Sequence, residues 1–342
     1  MVVIEDAPKV AEGDSTLLEQ EVDRLYSKLS KLGWSKSACE SIAPYTLRIN
    51  KLKHDKGFKI LAHSYQSADI VFGVADIVGD SLALAKKATE IKEKRILFCG
   101  VDFMAESVKI LNPEKLILVP EKGRDCTLAD SISAEDVRKL KKENPGVPVV
   151  CYVNTNADVK AESDICCTSA NARKIVDSLE TDTIIYIPDQ NMGKNLAKIT
   201  GKNIITWPGY CRTHNAMTIK RLEKLIENKE DVTTFAHFEC RPEVVDSVDL
   251  IGGTGDMYRF SAQAKKGEKV LFLTEQGFID RMKIEFPDVQ FEDSKLICVS
   301  MKRNDLAAIL KALENPTDEN IIDLDEKIRK KAYKAVSNML KY

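Results

Sequence analysis

The sequence lacks the features of membrane, secreted and nucleic-acid-binding proteins. No apolar run reaches the roughly 18 residues of a membrane-spanning helix. The chain begins MVVIEDAPKVAEGDS, which is acidic, whereas a secretion signal has a basic stretch followed by an apolar one. The net charge is -2, so no basic excess is available to neutralise nucleic-acid phosphates. We therefore expect a cytoplasmic protein that binds neither a membrane nor nucleic acid.

The nine cysteines do not indicate disulfides. Their number is odd and no secretion signal accompanies them, which disfavours a disulfide framework. A cysteine in such a chain is by default a small buried hydrophobic residue. With 342 residues, 44% of them apolar, the chain is long enough to bury the core of two or three domains.

A period of about 87 residues runs through the chain and repeats four kinds of segment. Extended segments with polar residues at alternate positions are KILAHSYQ, VVCYVNTN and TTFAHFEC. An aspartate, an apolar residue and a later hydroxyl residue recur in Asp76 to Ser81, Asp164 to Ser169 and Asp249 to Thr254. An apolar strand before a helix recurs in ILFCGVDFMAESVKIL, IIYIPDQNMGKNLAKI and VLFLTEQGFIDRMKIEF. A short strand, a cysteine and a helix complete each copy, and these helices end at Asn144, Asn228 and Asn315.

Each copy alternates strand and helix three times, which predicts an α/β fold of three pseudo-symmetric repeats. Each repeat should be a small parallel sheet sandwiched by helices, arranged around a central active site, because ligands bind at the carboxyl ends of parallel strands. We place N-terminal helices and the first repeat in residues 1–145, the second in 146–230, the third in 231–316, and a C-terminal helical tail in 317–342. Residues 14–50 have helical spacing and should pack on the first repeat.

Three cysteines share one position in the repeat. Cys126, Cys211 and Cys298 are separated by 85 and 87 residues, so a pseudo-threefold arrangement brings them to a common centre. Thiolates suit zinc and iron-sulfur clusters, and three thiolates for four irons leave one iron open as a Lewis acid. The alternatives are three packing cysteines, or a zinc ion that also binds His214. The other cysteines have no threefold cognates and are expected to be packing residues: Cys39, Cys99, Cys151, Cys166, Cys167 and Cys240.

The chain resembles the quinolinate synthase (quinolinate synthetase A) family from about residue 57 to 315. The segments that carry the resemblance include AHSYQ, VADIVGDSLALA, YVNTNADVKAESDICCTSANA, IPDQNMGKNLAKITGK, WPGYCRTH, AHFECRPEVV, GGTG, TEQGF and CVSMK. The resemblance implies an enzyme of NAD biosynthesis with a 4Fe-4S cluster on Cys126, Cys211 and Cys298. It implies that iminoaspartate and dihydroxyacetone phosphate condense to quinolinate, with loss of phosphate and two waters. It also implies a functional link to an aspartate-oxidising enzyme that supplies iminoaspartate.

The functional positions of the family fall on residues of the repeat. The resemblance and the strand positions make His63, Tyr65, His237 and Glu239 the candidate catalytic residues, which move protons. The candidate substrate-binding residues are His63, Ser81, Tyr152, Asn154, Ser169, His214, His237, Glu239 and Thr254. The competing interpretations are core histidines, a structural salt bridge at Glu239, strand packing of the tyrosines, and plain helix caps at the hydroxyl residues. His214 is either a substrate contact or a partner of the cluster ligands.

Three positions depart from the family pattern. The family usually has proline at Phe238 and a small residue at Tyr210, and both departures are expected to act on the shape of the pocket. Asp102 stands where histidine is common.

Two other interpretations stay open: a different lyase or hydratase with the same cluster, and a ligand-binding or redox-sensing protein. The histidine, tyrosine and glutamate groups beside the cysteines favour chemistry over sensing.

Overall fold

The computed structural model describes residues 15–123 and 126–342. They form three four-stranded parallel sheets, and in each sheet the strand order is second, first, third, fourth. The first sheet holds β1 Phe58–His63, β2 Ile77–Gly79, β3 Arg95–Cys99 and β4 Leu116–Leu118. The second holds β5 Val149–Tyr152, β6 Ile165–Cys167, β7 Thr183–Ile187 and β8 Asn203–Thr206. The third holds β9 Val232–His237, β10 Leu250–Gly252, β11 Lys269–Leu273 and β12 Gln290–Glu292. The predicted α/β class with three parallel repeats is confirmed.

Helices flank the sheets in the same order in each repeat. The N-terminal helices are α1 Ser15–Leu29 and α2 Lys36–Asp55, and the first repeat adds α3 Ala68–Gly73, α4 Ser81–Glu90, α5 Asp102–Leu111 and α6 Ala134–Glu143. The second repeat holds α7 Ala157–Ala161, α8 Ala172–Ser178, α9 Gln190–Thr200, α10 Arg212–Asn215 and α11 Ile219–Ile226. The third holds α12 Pro242–Val245, α13 Thr254–Gln263, α14 Gln276–Glu285 and α15 Leu306–Glu314, and α16 Glu326–Met339 follows it. Short 3-10 turns lie at Ser30–Leu32, Ala129–Ser131 and Met301–Arg303. In the described residues, no helix combines the length and the apolar character that a membrane span requires.

The sequence analysis predicted three strands per repeat, and the structure has four. The additional strands are β2, β6 and β10, each only three residues long. The repeated aspartate before each of them clamps it to the first strand of its sheet. The carboxylates of Asp76, Asp164 and Asp249 each accept a backbone N-H bond of 2.8 Å from that first strand. The aspartate of this repeated segment therefore holds the sheet together.

The last helix of each repeat covers the next sheet. In α11, Leu222 packs with Ala236 and Leu271 of the third sheet. In α15, Ile309 shares a core with Ile60 and Leu97 of the first sheet, and α15 also packs on α2. In the same way α6 contacts α7 of the second repeat. Each repeat therefore packs its last helix against the next repeat, and the third packs against the first. The division of the chain at residues 145, 230 and 316 stays a prediction.

Candidate functional site

The carboxyl ends of the three sheets meet at one cavity. It is lined by all the residues that the sequence analysis assigned to the site: His63, Tyr65, Ser81, Cys126, Tyr152, Asn154, Ser169, Cys211, His214, His237, Glu239, Thr254 and Cys298. The first strand of each sheet ends here, so alternate residues beyond β1, β5 and β9 turn polar side chains toward the same space. Sequence reasoning missed other lining residues, among them Asp80, Val101, Phe103, Met104, Thr168, Thr213, Ser300 and Met301.

The three hydroxyl residues do not serve as the N-caps that the sequence offered as their alternative. The cap of α4 is Asp80, whose carboxylate accepts from Ala83 N-H at 2.8 Å, and Ser81 follows it as the first helical residue. The cap of α13 is Gly253, and Thr254 follows it. Ser169 lies in the turn before α8, which begins at Ala172. These hydroxyls therefore face the cavity from beside helix starts.

Gly253 allows the second and third repeats to approach each other at the cavity. A Cβ atom at this position would lie 2.7 Å from the carbonyl carbon and oxygen of Ser169, which are backbone atoms. We expect Gly253→Ala to lower the free energy of unfolding by about 1–3 kcal/mol, because rigid backbone cannot give way to the methyl group. Thermal or urea unfolding measures this, with the exposed Lys265→Ala as a control that should change stability by about 0.5 kcal/mol or less. Equal stability of Gly253→Ala and the control would contradict the close approach.

The two histidines at equivalent strand ends share a backbone contact. Nδ1 of His63 accepts the N-H of Tyr65 at 3.2 Å, and Nδ1 of His237 accepts the N-H of Glu239 at 3.3 Å. Burial lowers the pKa of each imidazole to about 3, so both rings are neutral near pH 7. In His63, this leaves Nε2-H as the donor that a substrate can use. His237 stacks on His214, with ring centroids 4.3 Å apart.

A chain of hydrogen bonds links Tyr65 to Glu239. The phenol of Tyr65 contacts Thr254 Oγ1 at 3.0 Å and Thr274 Oγ1 at 2.8 Å. Thr274 Oγ1 is 3.0 Å from Nε2 of His214, whose Nδ1 lies 2.6 Å from Glu239 Oε2. Thr274 follows β11, and no equivalent hydroxyl follows β3 or β7, so the repeat offered no signal for it. The chain joins two predicted catalytic residues through a threonine that sequence reasoning missed.

Glu239 and Tyr65, at the two ends of this chain of hydrogen bonds, differ in their protonation. Burial would raise the pKa of Glu239, but the contact of its carboxylate with His214 holds it at about 2, so Glu239 is a carboxylate. Burial, with the nearby Glu239, raises the pKa of Tyr65 well above its usual value, so the phenol keeps its proton. The arrangement pairs a protonated phenol with a buried anion, and the imidazole of His214 stands between them.

The three repeated cysteines line the cavity as half-buried free thiols. Burial raises the pKa of all three, that of Cys126 to about 12, so a bound metal is what would stabilise their thiolates. Their sulfur atoms are not all within 4.8 Å of one another. Four ligands on one zinc ion would lie within about 4 Å of each other, so three cysteines with His214 do not fit a single zinc. Separated thiols, one from each repeat, fit a cluster in which each thiolate binds its own iron.

Cys211, His214 and Glu239 form a second, smaller grouping in the same cavity, with ligand atoms within 4.8 Å of one another. Hydrogen bonding accounts for it, because Nδ1 of His214 contacts both Cys211 Sγ at 3.3 Å and the Glu239 carboxylate. His214 therefore lies between a candidate cluster ligand and a candidate proton acceptor.

Phe238 and Tyr210, two of the departures from the family pattern, do not line the cavity. Phe238 is buried in the core and its carbonyl accepts from Asn195 at 2.8 Å, while Tyr210 is exposed. Both are described residues and neither is part of the cavity wall, so no contact supports the expected effect on pocket shape.

Asn171, which follows Ser169 by two positions, has a structural role. Its Oδ1 accepts the N-H of Thr168, and its amide NH2 donates to the carbonyl of Met339 at 2.9 Å.

Comparisons with known proteins agree on one family. The model of the family described as NadA, quinolinate synthetase A protein, matches residues 47–341, which include every residue of the cavity. The quinolinate synthase of Sinorhizobium fredii is 45% identical over 281 residues, 82% of this chain and 78% of the relative. That of Xylella fastidiosa strain Temecula1 is 45% identical over 85% of each chain. That of Dehalococcoides mccartyi strain CBDB1 is 44% identical over 86% of this chain and 97% of the relative.

Proposed function

The chain belongs to the quinolinate synthetase A protein family, and from this we propose that it condenses iminoaspartate with dihydroxyacetone phosphate. The products are quinolinate, phosphate and two waters, which balances the atoms of the two substrates, and quinolinate enters NAD biosynthesis. The observation that carries the proposal is the single cavity in which the repeated cysteines, histidines, tyrosines, hydroxyl residues and Glu239 meet.

The hydroxyl residues are suited to bind the anionic groups of the substrates. The two substrates together carry two carboxylates and one phosphate. Ser81 and Thr254 are the first residues of helices α4 and α13, where the helix dipole favours negative charge and their hydroxyls can donate to an anion. Ser169 faces the same cavity from the second repeat, and Tyr152 and Asn154 lie at the end of the neighbouring strand. Donors from three directions would orient the reacting carbon atoms toward each other.

The hydrogen-bonded chain is suited to move protons during dehydration. When Tyr65 passes its proton to Thr274 Oγ1, the Thr274 proton moves to Nε2 of His214. The Glu239 carboxylate then stabilises the imidazolium through Nδ1-H. The Tyr65 phenolate can then take a proton from the substrate. When Tyr65 gives that proton to the leaving hydroxyl, the proton held on His214 returns through Thr274 to Tyr65. His63 contributes a neutral Nε2-H donor beside Tyr65, with the ring centroids 4.6 Å apart.

Cys126, Cys211 and Cys298 would hold a 4Fe-4S cluster at the wall of this cavity. When bound, the cluster supplies one iron without a protein thiolate, which polarises a hydroxyl or carboxylate as a Lewis acid. The proposal also places the chain in the cytoplasm, where a reducing environment keeps such thiols free. A separate aspartate-oxidising enzyme would supply the iminoaspartate.

Anaerobic purification, iron and sulfide analysis and a quinolinate assay test the proposal together. We expect about four irons and four sulfides per chain, and quinolinate formation that requires both iminoaspartate and dihydroxyacetone phosphate. The chain stripped of iron by a chelator is the control, and it should form no quinolinate. A fully loaded chain that makes no quinolinate from these substrates would refute the reaction and leave the cluster standing.

A further inference from the structure

An acidic residue follows the third strand of every sheet. Asp102, Asp189 and Glu275 are separated by 87 and 86 residues, which is the period of the repeat. Asp102 is the first residue of α5, and Asp189 and Glu275 cap α9 and α14. These three residues, called the acidic anchors below, have no part in the proton-transfer chain or the cavity wall described above.

In the second repeat the anchor binds the backbone of a candidate cluster ligand. Asp189 is fully buried. Its Oδ2 accepts the N-H of Cys211 at 3.0 Å and its Oδ1 accepts the N-H of Met192 at 2.9 Å. The next residue, Gln190, donates its N-H to the carbonyl of Gly209 at 2.8 Å. The start of α9 is therefore joined to the cysteine segment at two neighbouring points.

The third repeat builds the same connection. Glu275 is also fully buried, and its Oε1 accepts the N-H of Cys298 at 3.3 Å while Oε2 accepts the N-H of Gly277 at 2.6 Å. Gln276 donates its N-H to the carbonyl of Leu296 at 2.8 Å, as Gln190 does in the second repeat. Lys302 lies 3.0 Å from the Glu275 carboxylate and donates to the carbonyl of Tyr65 at 2.6 Å. Lys302 thus joins the Glu275 carboxylate to the backbone of Tyr65.

In the first repeat the anchor binds the segment that precedes Cys126. Oδ2 of Asp102 accepts the N-H of Gly123 at 2.8 Å, and Cys126 follows three positions later. Asp102 lies one position further along than the other two anchors, because it is the first residue of its helix whereas Asp189 and Glu275 are N-caps. The direct bond to a cysteine N-H therefore occurs in two repeats, and the first repeat has a bond from Gly123 instead.

We propose that the acidic anchors are positioning residues for the cluster, a role that depends on the proposed function. Asp189 and Glu275 each accept two N-H bonds at once, so each fixes a cysteine segment relative to the start of a rigid helix. Fixing the backbone fixes the direction of the Cα–Cβ bond of the cysteine, and the thiol then has only its side-chain rotamers left. Three thiols on three separate segments bind one cluster more tightly when their positions are set before binding.

The test replaces one acceptor oxygen without changing side-chain size. In Asp189→Asn the amide oxygen can still accept from Met192, while the amide NH2 faces the N-H of Cys211, and donor meets donor. In Glu275→Gln the same conflict arises at Cys298. Asp325→Asn is the matched control, because Asp325 caps α16 through Lys327 and Ile328 and is exposed. All chains are purified and reconstituted anaerobically.

Iron retention against a chelator is the deciding measurement, and the electron paramagnetic resonance spectrum of the reduced cluster accompanies it. We expect both anchor variants to lose iron about 10–100-fold faster than wild type and the control, the range for ligand-orienting partners, with a changed spectrum. The iron-free anchor variants should melt below the control, because a buried donor meets a donor, so iron loss is compared at a temperature at which all the iron-free chains remain folded. If one of the two anchor variants does not fold, the other one tests the proposal.

Wild-type iron retention and a wild-type spectrum in the folded anchor variants would overturn the proposal. A wild-type chain that retains its cluster without making quinolinate refutes only the reaction, whereas one that takes up no iron refutes both proposals.

Discussion

Cys211→Ser abolishes both the cluster and quinolinate formation. The thiol of Cys211 is one of three on the cavity wall, so its loss leaves two thiolates from two repeats to hold four irons. A serine hydroxyl is a hard, weakly acidic donor and does not replace a soft thiolate on iron. We expect iron and sulfide to fall to background after anaerobic reconstitution. Iron analysis, visible absorption and the quinolinate assay measure the result.

Cys99→Ser is the matched control for this experiment. Cys99 is fully buried at the end of β3, in the core between the first sheet and the N-terminal helices, and lies outside the cavity wall. This variant should lose stability, because a hydroxyl is buried in an apolar site, yet it should keep iron and activity in its folded fraction. Full iron loading of Cys211→Ser would remove Cys211 from the ligand set and require another arrangement of the cluster.

The periodicity of the sequence was sufficient to predict the three sheets, because each element recurs at the same offset and random errors do not repeat. The short strands β2, β6 and β10 were missed, since three residues are too few to show an alternating pattern. The exchange of α6, α11 and α15 onto the next sheet was also beyond prediction. An apolar helix face indicates that a helix covers a sheet, but it does not indicate which of three similar sheets.

The candidate site was predictable where it follows the repeat. His63, Tyr152 and His237 come at the ends of equivalent strands, and parallel topology gathers such positions at one edge. Thr274 was not predictable, because its function depends on a contact with Tyr65 across 209 residues of chain. The anchors Asp189 and Glu275 recur at the period of the repeat, but they bind backbone N-H groups, so the sequence does not show which residues they contact. Residues whose function depends on one tertiary contact can be identified only from the structure.

Tyr65→Phe reduces kcat by about 10²–10⁴-fold, the usual contribution of a positioned proton-transfer group. The substitution removes the hydroxyl that contacts Thr254 and Thr274 and keeps the aromatic ring against His63. Since the cysteines are untouched, iron content should equal that of wild type, which separates proton transfer from cluster binding. Tyr186→Phe is the matched control, because its buried hydroxyl lies near Cys167, outside the cavity. Steady-state kinetics at full iron loading should show wild-type kcat in that control.

The same kinetic experiment tests whether Thr274 takes part in the proton-transfer chain. Thr274→Val keeps the shape of a fully buried side chain but removes the oxygen between Tyr65 and Nε2 of His214. If Tyr65 and Thr274 act in one chain, either substitution interrupts it, and the double variant should be little slower than Tyr65→Phe alone. Independent losses that multiply in the double variant would show that Thr274 only packs beside the phenol. The mechanism would then assign proton transfer to Tyr65 without His214 and Glu239.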